Sequence, residues 1–106
     1  MGEIKRRRMT PHEVVERIHK DVGVNVNKSH ILYYDYIGLV RPPRTKDGVR
    51  EYTESNIMDL TIAVLLSNLG VSVGRIKKLL VEHDFSILKE LDERIDILFE
   101  MGKKTI

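Results

Sequence analysis

Apolar residues recur at helical spacing along most of this chain, and turn-forming residues separate the helical stretches. Residues 10–13 read TPHE, a capping box with proline in the first turn, and they begin a helix that we expect to reach about Asp21. Gly23 suits its end, since glycine adopts the left-handed conformation without steric cost. Asn27 then predicts the cap of a second helix over about residues 28–37.

The second helix has two distinct faces. Ile31 and Tyr34 share the face that we expect in the core, whereas Ser29, Tyr33 and Tyr36 share the face that we expect outside. Small polar and basic residues stand at the start of this helix. Two short helices joined by a turn, the second beginning in this way, are typical of a helix-turn-helix, although many other helical hairpins share the pattern.

A basic stretch containing two prolines follows the second helix. Residues 46–48 read Lys-Asp-Gly, and an Asp-Gly pair supplies the positive φ angles that a two-residue hairpin turn needs. The flanking residues 44–45 and 49–52 are predicted to be short strands. Three cations would stand on this ribbon: Arg44, Lys46 and Arg50. A hairpin placed beside a helix-turn-helix is a wing.

The rest of the chain is predicted to hold three more helices. Thr53 caps the first of them, Gly70 ends it, and Ser72 caps the next. The hydrophobic residues assigned to the core face of the first are Ile57, Leu60, Ile62, Val64, Leu65 and Leu69. Its length and the breadth of that face predict a central core helix.

The last helix, over about residues 85–101, carries apolar residues at steps of three, four and three, namely Leu88, Leu91, Ile95 and Leu98. Spacing of this a/d type forms the seam of a coiled coil. Such a helix can fold back onto its own domain or pair with a second copy, and further apolar residues favour burial on more than one side. We expect a homodimer joined through this seam.

Composition excludes several classes of protein. A chain of 106 residues suggests one small domain, and the absence of cysteine removes disulfides, thiolate zinc sites and cysteine nucleophiles together. No apolar run approaches a membrane span and no signal-peptide pattern opens the chain, so we expect a cytoplasmic protein.

No phosphate loop, paired-carboxylate motif or activated nucleophile is visible, so we expect neither an enzyme nor a cofactor. The histidines lack metal-ligand spacing: His12, His19, His30 and His83.

Charge is distributed unevenly along the chain. Residues 1–52 hold 11 Lys/Arg against 7 Asp/Glu, whereas residues 53–106 hold 7 against 9. The basic excess therefore lies in the part that carries the tyrosines, which favours a polyanion bound on one side of the molecule. Chance together with a solubilising basic tail explains the same asymmetry equally well.

Several short motifs occur in a definite order along residues 10–82. They are YYD in the second helix, GLV and RPPR after it, DGVREY at the hairpin, and LSNLGVSVGRIKKLL across the third and fourth helices. This order resembles the DNA-binding domain of the MerR family of transcription regulators. That family has a Tyr-Tyr-acid triplet, a Gly-Leu-aliphatic step, a basic proline-containing segment, Gly-aromatic-Arg-x-Tyr and an LGxSLxxI helix-turn.

The chain departs from the family pattern at a few positions. Leu32 stands where an arginine usually precedes the tyrosines, which removes one expected phosphate contact. Val49 replaces the usual aromatic residue after the wing glycine, and His30 replaces a common threonine. Family members that sense ligands carry an effector domain after the coiled-coil helix, so the chain resembles a minimal member without a visible sensor.

The resemblance implies a mostly α fold, a winged helix-turn-helix with a small β-hairpin wing and a C-terminal dimerisation helix. We expect a basic arm at residues 1–9, the DNA-binding domain at 10–83, and the dimerisation helix and tail at 84–106. The second helix would enter the major groove, and the wing of residues 44–52 would lie on the phosphate backbone. The expected DNA contacts are Lys28, Ser29, His30, Tyr33, Tyr36, Arg44, Lys46 and Arg50.

The expected partners are palindromic double-stranded DNA, a second copy of the chain, and RNA polymerase at a promoter, with no membrane. Two other functions share this fold. An architectural or adaptor protein, of the excisionase or phage-packaging kind, would bind several loosely matching sites or a protein partner and would have no promoter role. A winged domain that binds only protein would lack salt-dependent affinity for DNA.

Overall fold

Five α-helices account for most of the part of the chain that the structure describes. The computed structural model describes residues 8–104, apart from the side chains at 98, 99 and 102–104. The helices are α1 (Pro11–Val22), α2 (Lys28–Tyr36), α3 (Glu54–Asn68), α4 (Val73–Leu80) and α5 (Ser86–Lys104). This arrangement confirms the mostly helical fold predicted from the sequence.

The chain separates into two compact units, one ending at Val71 and the other beginning at Ser72. The first unit contains α1, α2, α3 and the connection between α2 and α3, and the second contains α4 and α5. Residues 1–7, the greater part of the predicted basic arm, lie outside the described residues. Among the described helices, none has both the length and the apolarity needed to cross a membrane.

Local capping groups fix the ends of the first two helices. The Thr10 hydroxyl accepts from the Glu13 N–H, and the Glu13 carboxylate accepts from the Thr10 N–H, which completes the capping box. Gly23 ends α1 with a φ of +71°, and its N–H donates to the His19 carbonyl at 2.8 Å. At the start of α2, the Asn27 side chain accepts from the backbone N–H of residue 30 at 2.8 Å.

The core of the first unit forms where α1 packs against α2 and α3. Four side chains of the two helices are fully buried there, namely Val14 and Ile18 of α1 and Ile31 and Tyr34 of α2. Tyr52, predicted to be a core residue, is also fully buried, and burial raises the pKa of its hydroxyl above the ordinary value. Apolar packing of the ring holds Tyr52, because its hydroxyl has no hydrogen-bond partner among the described residues.

The connection between α2 and α3 contains a tight turn. Gly48 has a φ of +81°, and its N–H donates to the Thr45 carbonyl at 2.9 Å. The Thr45 N–H in turn donates to the Val49 carbonyl at 2.9 Å. Gly48 takes the left-handed position, as the sequence predicts, but Asp47 has an ordinary φ. The turn is therefore centred on Lys46 and Asp47, with Gly48 after it, and the predicted two-residue Asp-Gly turn is not formed. We call residues 41–52 the wing loop.

The predicted strands on either side of this turn are not formed. In place of strands at 44–45 and 49–52, a single isolated antiparallel bridge joins Arg44 to Arg50 within the wing loop. Pro42 and Pro43 precede the bridge, and proline has no N–H to extend a ladder. The β-hairpin part of the predicted wing is thus reduced to a turn with one bridge.

The structure also corrects the predicted core face of α3. Leu65 and Leu69, expected on that face, are 38% and 63% exposed, whereas Ala63 and Leu66 are buried. Each residue of an α-helix advances about 100° around the axis, so positions 65 and 69 lie on the far side from the buried Leu60. Apolar residues surround much of α3, and hydrophobicity alone therefore gave too broad a face.

In the second unit, α4 packs against α5. Among the described side chains of this unit, the buried hydrophobic ones are Ile76, Leu79 and Ile87. The predicted seam of α5 is largely exposed, since Leu88 and Ile95 are 48% and 61% exposed and Leu91 is half-buried. The side chain of Leu98, the fourth seam residue, lies outside the described residues. An apolar stripe is thus left along α5.

Candidate nucleic-acid interface

The outer face of α2 carries the three residues that the sequence placed there. Ser29 is exposed, Tyr33 is 46% exposed, and Tyr36 is 82% exposed. The opposite face of the same helix buries Ile31 and Tyr34 completely. Large aromatic side chains exposed on one side of a short helix offer hydroxyl groups and ring surface to a partner.

The N-terminal turn of α2 presents a positive charge and a hydroxyl. Lys28 and Ser29 are exposed, and Lys28 forms no ion pair with any residue that the structure describes. His30 is half-buried, and its ring centroid lies 4.5 Å from that of Tyr34 at an angle of 48°. Packing on Tyr34 fixes the imidazole at one flank of the helix, so Lys28 and Ser29 are the more accessible of the three.

Asp35 is the main feature of this region that sequence reasoning missed. Its side chain is only 7% exposed, yet its Oδ2 atom accepts from Arg44 Nη2 at 2.6 Å and from Arg50 Nε at 2.6 Å. A buried carboxylate requires such partners, because its unpaired charge would cost several kcal/mol. Asp35 lies four residues after Ile31 on the buried side of α2, and this position could have identified it in the sequence.

The Asp35 pairing ties the wing loop to α2. Arg44 follows the prolines and Arg50 follows the turn, so one carboxylate holds both sides of the loop. Arg44 also donates from Nη1 to the Gly48 carbonyl at 3.4 Å, whereas the two terminal nitrogens of Arg50 make no hydrogen bond to a described residue. The arginine side chains remain 44% and 31% exposed. Each guanidinium therefore keeps surface for a second anion.

Two further cations of the wing loop have no acidic partner among the described residues. Arg41 and Lys46 are both exposed, and neither forms an ion pair there. Lys46 was predicted to contact DNA, whereas Arg41 begins the RPPR motif and was assigned no contact. The wing loop thus combines two guanidiniums that are paired with Asp35 and two cations that have no acidic partner among the described residues.

The start of the described chain braces the end of the wing loop. Met9 and Tyr52 exchange two backbone hydrogen bonds, at 3.0 Å and 2.9 Å, and form an isolated antiparallel bridge. Arg8 donates to the Glu51 carboxylate at 2.9 Å. Both contacts join the segment ahead of α1 to the segment ahead of α3, and they limit movement of the loop base.

These elements present a hydroxyl-bearing helix face beside a cluster of arginines and lysines. Guanidinium and ammonium groups attract phosphate, and helix N-termini with small polar residues can reach base edges. The expected residues of α2 and the wing loop are therefore exposed or half-exposed within one unit.

Comparison with known proteins identifies the family. The family model described as MerR HTH family regulatory protein matches residues 9–82. The chain belongs to this family. The match includes α1 to α4 and the wing loop, and it ends before α5. The family is described as one of helix-turn-helix regulatory proteins, so membership places the chain among regulators that carry this domain.

The chain is also similar to a known regulatory protein. The Mercuric resistance operon regulatory protein of Bacillus cereus is 36% identical over 76 residues, in an alignment covering 60% of this chain and 58% of that protein. The MerR-family chain therefore spans little more than half the length of this relative.

A solved structure has the same fold. It is the crystal structure of HiNmlR, described as a MerR family regulator lacking the sensor domain, bound to promoter DNA. The two share a TM-score of 0.71 at 20% identity, over 92% of this chain and 81% of that chain. This likeness establishes the fold of the MerR-family chain.

Proposed function

We propose that this MerR-family chain binds double-stranded promoter DNA as a homodimer and regulates transcription. In this proposal α2 enters the major groove, and the wing loop contacts the phosphate backbone on one side of it. The partners are a palindromic duplex, a second copy of the chain and, at the promoter, RNA polymerase. The observation that carries the proposal is the exposed face of α2 beside the arginine cluster of the wing loop.

The exposure of Lys28, Ser29, Tyr33 and Tyr36 supports a recognition role for α2. The core of the unit is built from the other side of this helix, so these side chains are not needed for packing. In helix-turn-helix proteins the N-terminal part of the second helix contacts base edges. Lys28 and Ser29 are accordingly assigned to bases, and the tyrosine hydroxyls are assigned to phosphates.

The charges of the wing loop support a backbone contact. Arg44, Lys46 and Arg50 are arranged around one turn, and the Asp35 contact fixes the two arginines. Phosphate contacts determine the orientation of a protein on DNA and contribute most of the affinity that does not depend on sequence. A loop held rigidly to the recognition helix suits this task, since both elements must meet the duplex together.

The exposed seam of α5 supports homodimer formation. The helix has 19 residues, so it is about 28 Å long, enough for at least two heptads of contact. Leu88 and Ile95 are exposed, although a chain of this size gains stability by covering such residues. A two-fold dimer would present two copies of α2 to half-sites separated by whole turns of DNA.

Selection of bound sequences from a random DNA pool tests the DNA-binding part directly. We expect the winning sequences to share a motif with two-fold symmetry. Ser29→Ala should alter the preferred bases, at about 1–3 kcal/mol per lost contact, while affinity for random DNA stays nearly constant. If the selected DNA sequences share no motif, that result would contradict sequence-specific regulation and would favour the architectural alternative.

Sedimentation of the parent protein and of Leu91→Asp tests the dimer. A carboxylate buried in the seam without a partner costs several kcal/mol, so the variant should be monomeric where the parent is dimeric. The variant should also bind a half-site as the parent does but lose the advantage of a full site. A parent that stays monomeric, both free and on DNA, would contradict the homodimer.

A further inference from the structure

A recess lies where the end of α2 meets the wing loop. Its lining residues are Asp35, Tyr36, Arg41, Pro42, Arg44 and Arg50. We propose that this recess seats one phosphate of the DNA backbone and that Arg41, which is not among the contacts assigned above, donates to that phosphate directly. The inference rests on the proposed DNA binding and adds a contact residue to it.

The charges of the recess favour an anion. Three guanidiniums and one carboxylate line it, so it carries two net positive charges. The carboxylate of Asp35 is 7% exposed and already accepts from two arginines through Oδ2. An incoming anion therefore meets guanidinium groups, because the negative charge lies beneath them.

The three arginines differ in how many donors they have left. Arg44 uses both terminal nitrogens, on Asp35 and on the Gly48 carbonyl, whereas Arg50 uses only Nε. Arg41 makes no hydrogen bond from its side chain to any residue that the structure describes. A guanidinium with its full fork free binds phosphate through two parallel hydrogen bonds. Arg41 is consequently the strongest donor available to a ligand.

The backbone at the end of α2 gives Arg41 its place in the recess. Gly38 has a φ of +79° and no side chain, and a Cβ atom at this position would lie 3.4 Å from Arg41 Nε. The guanidinium thus packs over the glycine instead of extending away from the molecule. Pro42 follows Arg41 and restricts it to extended backbone conformations. The position of Arg41 therefore depends on local geometry that the neighbouring residues fix.

The test compares Arg41→Ala with Lys20→Ala, since each variant removes one exposed positive charge from the first unit. Lys20 lies on α1 beside Glu13 and Glu16, and the carboxylates of these residues make a poor seat for phosphate. Affinity for a labelled random-sequence duplex is measured by fluorescence anisotropy over a series of KCl concentrations. The slope of log affinity against log salt reports the number of phosphates neutralised and does not depend on the active fraction.

We expect Arg41→Ala to reduce the magnitude of this slope by about 0.9 for each recess in the complex, and to weaken binding about eightfold per recess at 0.1 M salt. Lys20→Ala should leave the slope near that of the parent, and Arg41→Lys should retain it because the charge is kept. If the two alanine variants have equal slopes, the recess does not bind a phosphate, although the protein still binds DNA. A parent without salt-dependent affinity would overturn the proposed function, and the seat with it.

Discussion

Asp35 and Glu90 each accept hydrogen bonds from two arginine side chains, but they differ in burial and in the atoms they use. Asp35 is 7% exposed and accepts from Arg44 and Arg50 through a single oxygen. Glu90 is 35% exposed and accepts from Arg75 and Arg94 through both oxygens. The first cluster holds a loop against a helix, and the second joins α4 to α5.

This difference determines which arginines remain available. Arg75 directs both terminal nitrogens at Glu90 in a two-pronged contact, so its fork is already occupied. Arg50 uses only Nε on Asp35, and its terminal nitrogens stay free of described residues. Arg50 therefore keeps two terminal nitrogens for a ligand, whereas Arg75 keeps neither, although Arg94 uses only Nη2 on Glu90.

Loss of the buried carboxylate should give the largest effect on stability. Asp35→Asn leaves two guanidiniums next to a neutral amide, and we expect the free energy of unfolding to fall by about 2–3 kcal/mol. This is less than for a fully buried ion pair, because the arginine heads can still be hydrated. Urea denaturation followed by circular dichroism measures the change.

Glu90→Gln is the matched control for that measurement. Ion pairs at the surface contribute little, so its loss should cost less than about 1 kcal/mol. Equal losses in the free energy of unfolding would contradict this prediction, because burial would then not distinguish the two carboxylates.

Replacing either of two glycines by alanine should change the stability by a smaller amount, and the two changes should have opposite signs. Gly38→Ala introduces a side chain at a φ of +79° beside Arg41, and we expect a loss of about 1–2 kcal/mol. Gly74→Ala lies in α4 with open space around it and an ordinary φ, and we expect a gain of roughly 0.5 kcal/mol. Thermal melting of both variants decides this, and a stabilising Gly38→Ala would contradict the packing of Arg41 over the glycine.

Much of the fold could be predicted from the sequence because helix ends are local. Thr10, Asn27, Thr53 and Ser72 each cap a helix through a side chain that accepts from the backbone N–H three residues later. Such signals need no knowledge of the rest of the chain. The family resemblance was likewise confirmed, since its motifs cover nearly the same residues as the family match.

The predictions that were wrong concern features that depend on tertiary contacts. The strands of the wing loop were expected from a turn signal, but prolines next to Arg44 leave only one bridge. Leu65 and Leu69 were taken for core residues, although packing selects only one side of an apolar helix. The partners of Asp35 are 9 and 15 residues away in sequence, so no local pattern could pair them. The assignment of individual residues to DNA stays a prediction.

The most direct test of the DNA-binding role of the wing loop compares Arg50→Ala with Arg75→Ala in DNA binding. Each variant removes one positive charge from a two-arginine cluster, so their net charges are equal. Affinity for a random-sequence duplex is measured across a series of salt concentrations. If the wing loop lies on the phosphate backbone, Arg50→Ala flattens the salt dependence by roughly 0.9 per copy of the chain on the DNA, and Arg75→Ala leaves the dependence unchanged. A slope that falls only in Arg75→Ala, or in neither variant, would contradict the placement of the wing loop on the phosphate backbone.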